Sequence, residues 1–526
     1  MHGTGESVCR FRQKKGTGRR RTAWKDGNML EEYYGELKKN QNPRENLSLL
    51  RSAVRDREAR AALREQNGIQ ELLCGFLTHD DPKVRRNAAL LIGDLELDGA
   101  AAALYEAYRK EETLFVRSAY PAALLRLDIG DYFDALKEHR NTLAARRTTE
   151  EERKHVAEEL RELDRLITEV EGITHHTFTR FQKEHTFVLT TNREQRQVTI
   201  DEAAELSKEL GKTAEQHPLG VRVRTKNMNT LTLLRTCREI LLLLPAPEGI
   251  GSNPSAAAAA VWKAGVLKLL EECHDPAGAF YYRLEVKNTM ELNERARFAK
   301  RFAAELARIS GQRLINSVRE YEVEIRLIEK KEGGYAAFIK LLTVPMRRFA
   351  YRKHALPVSV HPAAAAMFMM LAEPYLKEDA MVLDPFCGVG TMLIERDIRV
   401  PAGDKYGIDT FGDAVRMARE NAAAAGEQIN FINRDYFDFR HDELFDEIVT
   451  DMPMRGKKTK EEQDALYERF FDKSAQILAP GGVIVMYSNE SGFVKKQLRL
   501  REDYRLLEEY CIREKTGFFL FVIQYQ

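Results

Sequence analysis

The sequence predicts a multidomain protein of α and α/β class, with an amino-terminal helical region, a central α/β region and a carboxyl-terminal doubly wound sheet. Three observations predict this. The chain has 526 residues, which at roughly 100 to 200 per domain implies about three or four domains. Two segments between Asp80 and Asp128 repeat one another at helical spacing. From about Met381 onward, short apolar runs alternate with helical patterns, as they do in a parallel sheet.

Lys and Arg total 82 against 81 Asp and Glu, a formal charge of +1, so any nucleic-acid surface must be local rather than global. Hydrophobic residues make up 44% of the chain, enough for real cores. The longest nearly unbroken apolar stretch, Pro362 to Ala372, is well short of the roughly 18 residues a membrane span needs, so none is expected. The amino terminus lacks the apolar core of a secretory signal, which predicts a cytoplasmic protein. Cys9, Cys74, Cys237, Cys273, Cys387 and Cys511 show neither a CxxC pair nor metal-ligand spacing, so reduced thiols and no metal are expected.

Residues 1–28 carry eight Lys and Arg among glycines with almost nothing apolar, and read as a basic disordered tail. Over 29–146 apolar residues recur at helical spacing. DDPKVRRNAALLIGDL, from Asp80, and LFVRSAYPAALLRLD, from Leu114, each set a Val-Arg pair ahead of small residues and leucines. The pairs are Val84-Arg85 and Val116-Arg117, with a weaker echo at Val54-Arg55. The pattern resembles HEAT-like repeats, in which small residues let paired helices approach and the stacked surface can receive a protein partner. Residues 147–172 mix opposite charges with a leucine stripe and predict an amphipathic linking helix, a spacer or partner helix.

Residues 173–247 read as a small α/β module. Strands flank a helix opened by Thr199 and Asp201, and a leucine-rich helix runs through Leu244. Pro, Gly and Ser punctuation predicts a linker over 248–260. Over 261–355, a strand from Phe280, a helix from about Glu291 to Ser310, and strands from Tyr321 and Tyr335 joined at Gly333-Gly334 suit a ferredoxin-like module.

In the doubly wound sheet of 356–526, ligands belong at the carboxyl ends of the strands. The first end is Asp384-Pro385-Phe386-Cys387-Gly388-Val389-Gly390-Thr391, where glycines admit a cofactor close to the backbone. The third glycine that a dinucleotide site would want, near Leu393, is absent. Asp409, 19 positions after Gly390, stands at the usual interval for a carboxylate that binds ribose hydroxyls. The third end holds Asp435, Tyr436 and Phe437, a carboxylate for an adenine amine and an aromatic cover for its ring. The fourth runs from Asp451 through Met452, Pro453, Met454, Arg455 and Gly456 to Lys457 and Lys458.

Together these ends resemble the Rossmann-like class I methyltransferases that use S-adenosylmethionine, and DPFCGVGT matches that family's first motif. The Asp451 segment resembles the Asp/Asn-Pro-Pro-aromatic signature of enzymes that methylate exocyclic or amide nitrogens. It is closest to the Asp-Leu-Pro-Phe-Gly form of THUMP-associated RNA guanine-N2 methyltransferases, with their UPF0020-like catalytic domain. The lead-in RRFAYRKHALPVSVHPAAAAMFMMLA, from Arg347, is similar to the segment that precedes the catalytic domain in those proteins.

The resemblance implies S-adenosyl-L-methionine as cofactor, held by Asp384, Pro385, Phe386, Gly388, Gly390, Thr391, Asp409, Asp435 and Tyr436. It implies Asp451, Met452, Pro453 and Met454 at the target base, and methyl transfer to guanine N2 of tRNA or rRNA. It also implies a THUMP-like identity for 173–247. An exocyclic amine is a poor nucleophile because its lone pair is delocalised into the ring, so the site must orient it and accept its protons. Asp451 has the carboxylate for this, and the family's second acceptor is a backbone carbonyl, which Met452 retains. Met454 stands where the family has an aromatic, and Arg455 is inserted before the glycine. Arg455, Lys457 and Lys458 are candidates for RNA phosphate. Two alternatives stay open: a protein or DNA amino-methyltransferase, and a non-catalytic cofactor-binding scaffold that uses the repeats.

Overall fold

A computed structural model describes residues 28–146, 148–171, 175–246 and 249–526. The expected basic tail lies outside the described residues, apart from Asn28, where the first helix begins. The chain divides into two compact units, Met1–His175 and His176–Gln526. None of the described helices is long and apolar enough to cross a membrane.

The first unit is helical, and capping residues place its helices. Asp56 accepts from the Glu58 and Ala59 amides to open Arg57–Arg64. Asp81 opens Pro82–Asp94, with Pro82 at the first helical position. The matching segments share a piece of chemistry. Val84 and Val116 are buried, and Arg85 and Arg117 each donate from Nη1 to the carbonyl six residues back, at His79 and Glu111. Each guanidinium also grips a buried carboxylate, Arg85 that of Glu111 at 2.8 Å and Arg117 that of Glu159 at 2.9 Å. The small residues do permit close approach, since a Cβ at Gly93 would stand 2.7 Å from Ala123 Cα. The echo at Val54-Arg55 is no third copy, because Val54 caps the end of Pro43–Ala53 instead of lying near a helix start.

The helix Glu150–Glu171 is not a spacer. Val156, Leu160, Leu163 and Leu166 sink into the same core as the preceding helices, and Glu159 also receives Tyr108 Oη at 2.5 Å. A leucine stripe marks an apolar face without saying what it meets.

In the second unit, the two expected α/β modules form one mixed sheet, eight-stranded among the described residues. The strand order is Glu215–His217, Gly220–Thr225, His185–Thr190, Glu239–Leu243, Tyr335–Leu341, Val323–Glu329, Phe280–Lys287 and Leu314–Asn316. The seam is the antiparallel pairing of Glu239–Leu243 with Tyr335–Leu341, Leu242 facing Ile339. The expected leucine-rich helix through Leu244 is therefore a strand in its second half, after a short helix Met228–Leu233. A continuous apolar run reads the same whether it is a buried helix or a strand buried on both faces. The expected linker over 248–260 is helical from Pro254 to Lys263, where Asn253 caps an alanine run. Pro and Ser suit a first helical turn, and alanine is the best helix former.

The second unit also holds the carboxyl-terminal sheet. Its strands are β1 (Val382–Asp384), β2 (Lys405–Asp409), β3 (Asn430–Asn433), β4 (Phe445–Asp451), β5 (Leu478–Ser488), β6 (Tyr504–Arg513) and β7 (Phe518–Tyr525), in the order β3-β2-β1-β4-β5-β7-β6. The first five are parallel. The sheet is not the all-parallel one expected, because β7 runs antiparallel to both β5 and β6. The connection from β6 to β7 is a single turn ending at Gly517, too short for the crossover that parallel strands require. The order reverses between β1 and β4, which opens the crevice where such sheets bind ligands.

Buried polar contacts lock this sheet to the central one. Glu395, on the helix Thr391–Arg399, takes a two-pronged ion pair from Arg235 at 2.8 and 3.0 Å and a hydrogen bond from Tyr351 Oη at 2.6 Å. Asn421, fully buried, bridges the lead-in at His354 to the glycine loop at Val389.

Candidate active site

The loop after β1 is shaped by its own polar groups. Asp384 is buried, and its carboxylate accepts from the Phe386 amide at 3.1 Å; burial pushes its pKa well above the ordinary carboxylate range. Pro385 occupies the turn, and Phe386 packs on Tyr436 and Phe470. Gly388, at φ +51°, turns its amide to Asp409 Oδ2 at 2.9 Å. The Phe411 amide reaches Oδ1 of the same carboxylate at 2.8 Å. Asp409 thus ties the glycine loop to the end of β2, and each of its oxygens keeps capacity for a further donor. Thr391 starts the following helix, and its hydroxyl is buried with no partner among the described residues.

Gly390 has φ +82°, and a Cβ there would lie 2.8 Å from Phe431 Cζ. Gly390→Ala should therefore cost about 1–3 kcal/mol through left-handed strain and overpacking. Urea unfolding of the full chain, followed by hydrogen exchange at Asn430–Asn433, checks this; an unchanged midpoint would show that the loop relaxes freely.

At the end of β3, Asn433 Nδ2 and the Arg434 amide both donate to the Asp409 carbonyl, at 2.9 and 3.1 Å. Asp435 is exposed and caps a short turn by accepting from the Phe437 amide. Tyr436 does not cover a ligand. It is buried in the core, with its hydroxyl sharing a hydrogen bond with Ser474 at 3.1 Å. The turn directs it inward beneath Phe386 and leaves its neighbour Phe437 half-exposed under the Arg469 guanidinium, 3.8 Å from the ring centroid.

Asp451 ends β4 directly opposite Tyr487 of β5. Burial pushes its pKa up to about 7, although Arg513 is near enough to draw it down. Asp384 feels the charge of both Asp451 and Asp409, so three carboxyl groups gather at the ends of β1, β2 and β4. The Met452 amide donates to the Tyr487 carbonyl at 2.9 Å and its side chain is buried, while the Pro453 carbonyl accepts from Gln463 Nε2 at 2.7 Å. This segment is held rigidly. Met454 is 50% exposed and free to lie against a flat ring. Arg455, Lys457 and Lys458 are exposed and make no ion pair among the described residues.

Sequence reasoning missed several residues. Phe411, 52% exposed, follows Asp409 by two positions and offers an apolar face beside its carboxylate. Its signal was an aromatic just beyond the β2 acid. Arg513 and Tyr487 had no such signal, since only the sheet order brings β5 and the final hairpin to Asp451. Asp384, Pro385, Phe386 and Thr391 of the first motif act through the loop's shape, whereas Asp409 and Asp451 present carboxylates to the crevice.

Residues 350–515 match UPF0020, the RMKL-like methyltransferase domain. A tRNA (guanine(10)-N2)-dimethyltransferase from Methanothermobacter thermautotrophicus is 32% identical over 160 residues, covering 28% of this chain and 46% of that protein. The U6 snRNA (guanine-N(2))-methyltransferase THUMPD2 of Bos taurus is 32% identical over 155 residues, covering 29% of each. The chain spans less than half the length of these curated relatives. Among solved structures, TrmN from Thermus thermophilus aligns with 65% of this chain and 100% of its own at 22% identity and a TM-score of 0.48.

Proposed function

We propose, from the match of residues 350–515 to the UPF0020, RMKL-like methyltransferase domain, that this protein methylates the exocyclic N2 of guanine in a structured RNA, tRNA or rRNA. The observation that carries the proposal is Asp451, a partly buried carboxyl group at the end of β4 beside the glycine loop. The amine's protons need an acceptor as its lone pair is released from the ring, and Asp451 accepts the N–H and takes the proton. Met452 and Pro453 keep that carboxylate in place, and Met454 contacts the base.

The loop fits S-adenosylmethionine. Gly388 and Gly390 bring backbone rather than side chains to the crevice, Asp409 has acceptor capacity for ribose hydroxyls, and Phe411 offers a face to an adenine. Asp384, Pro385, Phe386 and Thr391 shape that loop, and Asp435 is placed for the adenine amine. The bound cofactor supplies an electrophilic methyl on a sulfonium. Asp409→Ala removes two charge-assisted hydrogen bonds, so cofactor Kd should rise about 10- to 100-fold. Calorimetry measures it, and an unchanged Kd would take Asp409 out of the site.

The finer assignments are proposals of the same kind. The central sheet is read as a THUMP-like and ferredoxin-like platform that presents RNA, and Arg455, Lys457 and Lys458 as contacts to its phosphates. The helical unit is read as HEAT-like and open to a protein partner, and the whole as cytoplasmic. The test is to incubate the protein with radiolabelled S-adenosylmethionine and, in parallel, total RNA, DNA or protein from a strain lacking it, then digest the RNA to nucleosides. Labelled N2-methylguanosine supports the reading. Label only in DNA or protein acceptors, or cofactor binding without turnover on any acceptor, would replace it with an amino-methyltransferase of another class or a scaffold.

A further inference from the structure

A second group of basic side chains, apart from the Arg455 loop, lies on segments joined to one another, with Arg513 beside Asp451, Arg238 beside Arg513, and Arg348 and Arg352 sharing the surroundings of His361 with Arg238. Arg238 stands just before the strand Glu239–Leu243, Arg348 and Arg352 lie in the lead-in to the catalytic domain, and Arg513 ends β6. His361 caps the helix Pro362–Ala372 by accepting from the Ala363 amide. These segments are pinned to one another. The Arg238 amide donates to the Thr190 carbonyl at 2.8 Å, and Arg348 Nη2 donates to the Arg238 carbonyl at 3.0 Å. From the loop after the strand His185–Thr190, Asn192 Nδ2 reaches the Ile512 carbonyl at 2.8 Å and Gln195 Nε2 the Cys511 carbonyl at 3.0 Å.

The charges repel one another. Desolvation by the groups packed around it and then Arg513 lower the pKa of Arg238, while burial and then Arg238, Arg352 and Arg348 push His361 down to about 4. Among the described residues, none of the four arginines has a carboxylate at ion-pair distance. Glu239, next to Arg238, is already committed to Arg326 at 2.7 Å and Lys340 at 2.8 Å. Arg348 is spent on the carbonyls of Leu234 and Arg238 and acts as a strut. Arg238 and Arg513 are exposed with no side-chain hydrogen bond among the described residues, and Arg352 Nε is buried without a partner. Like charges gathered this way cost free energy until an anion with several oxygens arrives, and guanidinium forks match a phosphate.

We infer that Arg238, Arg352 and Arg513 form a site for a backbone phosphate of the RNA, next to the nucleotide whose base meets Asp451. The site sets the register of the strand at the mouth of the crevice. The inference rests on the RNA reading above, and it adds a site drawn from three separate segments of chain.

The double variant R238Q/R513Q tests it in the full-length protein, with R416Q, an exposed arginine on the helix Gly412–Ala425, as control. The probe is a fluorescein-labelled, unmodified tRNA transcript, followed by anisotropy across a potassium chloride series. Each lost phosphate contact should flatten the log Kd against log salt slope by about 0.7–0.9, and the double variant's Kd at fixed salt should rise about tenfold or more. R416Q should follow wild type, and cofactor Kd by calorimetry should not change, which also shows that the double variant folds. A salt slope parallel to wild type overturns the site. So does a weakened cofactor with RNA binding intact, which would make these arginines the holders of the cofactor's carboxylate. Wild type that binds no RNA would remove the RNA reading itself, and this site with it; wild-type binding with an unaltered variant slope removes the phosphate site alone.

Discussion

Asp451→Asn should lower turnover by about 10²- to 10⁴-fold while leaving cofactor affinity nearly intact, since asparagine keeps the shape but cannot take a proton. The pKa of Asp451 adds a signature that a structural role would lack. Burial sets it at about 7, so the carboxylate form grows through that pH. Single-turnover rates of the wild type should climb about tenfold per unit at acid pH and level off above about pH 8, and the residual rate of the variant should be flat there. The same burial acts on stability in the opposite sense. A carboxyl whose folded pKa lies above its unfolded value of about 3.9 binds protons more tightly when folded, so it makes the fold less stable as pH rises from there to about 7. Asp451→Asn should therefore raise the thermal midpoint at pH 8 and change it little at pH 4. A variant with wild-type turnover would end the assigned role.

Glu447→Ala should be the most damaging substitution for the fold of the catalytic domain, at about 3–5 kcal/mol. Arg396 and Glu447 pair at 2.7 and 2.9 Å, with their side chains 0% and 1% exposed. Glu447 also accepts from the Lys377 amide at 2.8 Å, and Arg396 donates to the Lys377 carbonyl at 2.6 Å. The pair thus fastens the helix after the glycine loop to β4 and to the strand entry before β1. Removing one partner leaves a buried charge unpaired, whereas replacing both with Met and Leu removes the charges together and should cost far less. Hydrogen exchange at Phe445–Asp451 measures both; equal effects of the single and double substitutions would show that the ion pair carries no such penalty.

These two residues were not equally legible. Asp451 could be found because it ends a short apolar strand and opens a distinctive four-residue run, DMPM. Glu447 and Arg396 read as ordinary charged residues, since a sequence does not record which face of a strand or helix is buried. Tyr436 was misjudged for the same reason. The pattern placed an aromatic at the end of β3, but only the turn after Asp435 decides that Tyr436 points inward and Phe437 outward.

By itself the sequence determined the local features of this protein: the alternation of strands and helices after Met381, the glycine loop, the spacing to Asp409, and the matched Val-Arg segments of the helical unit. Each depends on residues a few positions apart, where propensity and capping act. The tertiary structure alone decided that residues flanking the alanine-rich helix Pro254–Lys263 share one sheet, that the last hairpin runs antiparallel, and that Arg513 comes beside Asp451 and Arg238 beside Arg513. Those outcomes depend on strand pairing and burial between segments far apart in the chain, and charge or apolarity at single positions does not encode which partner each will find.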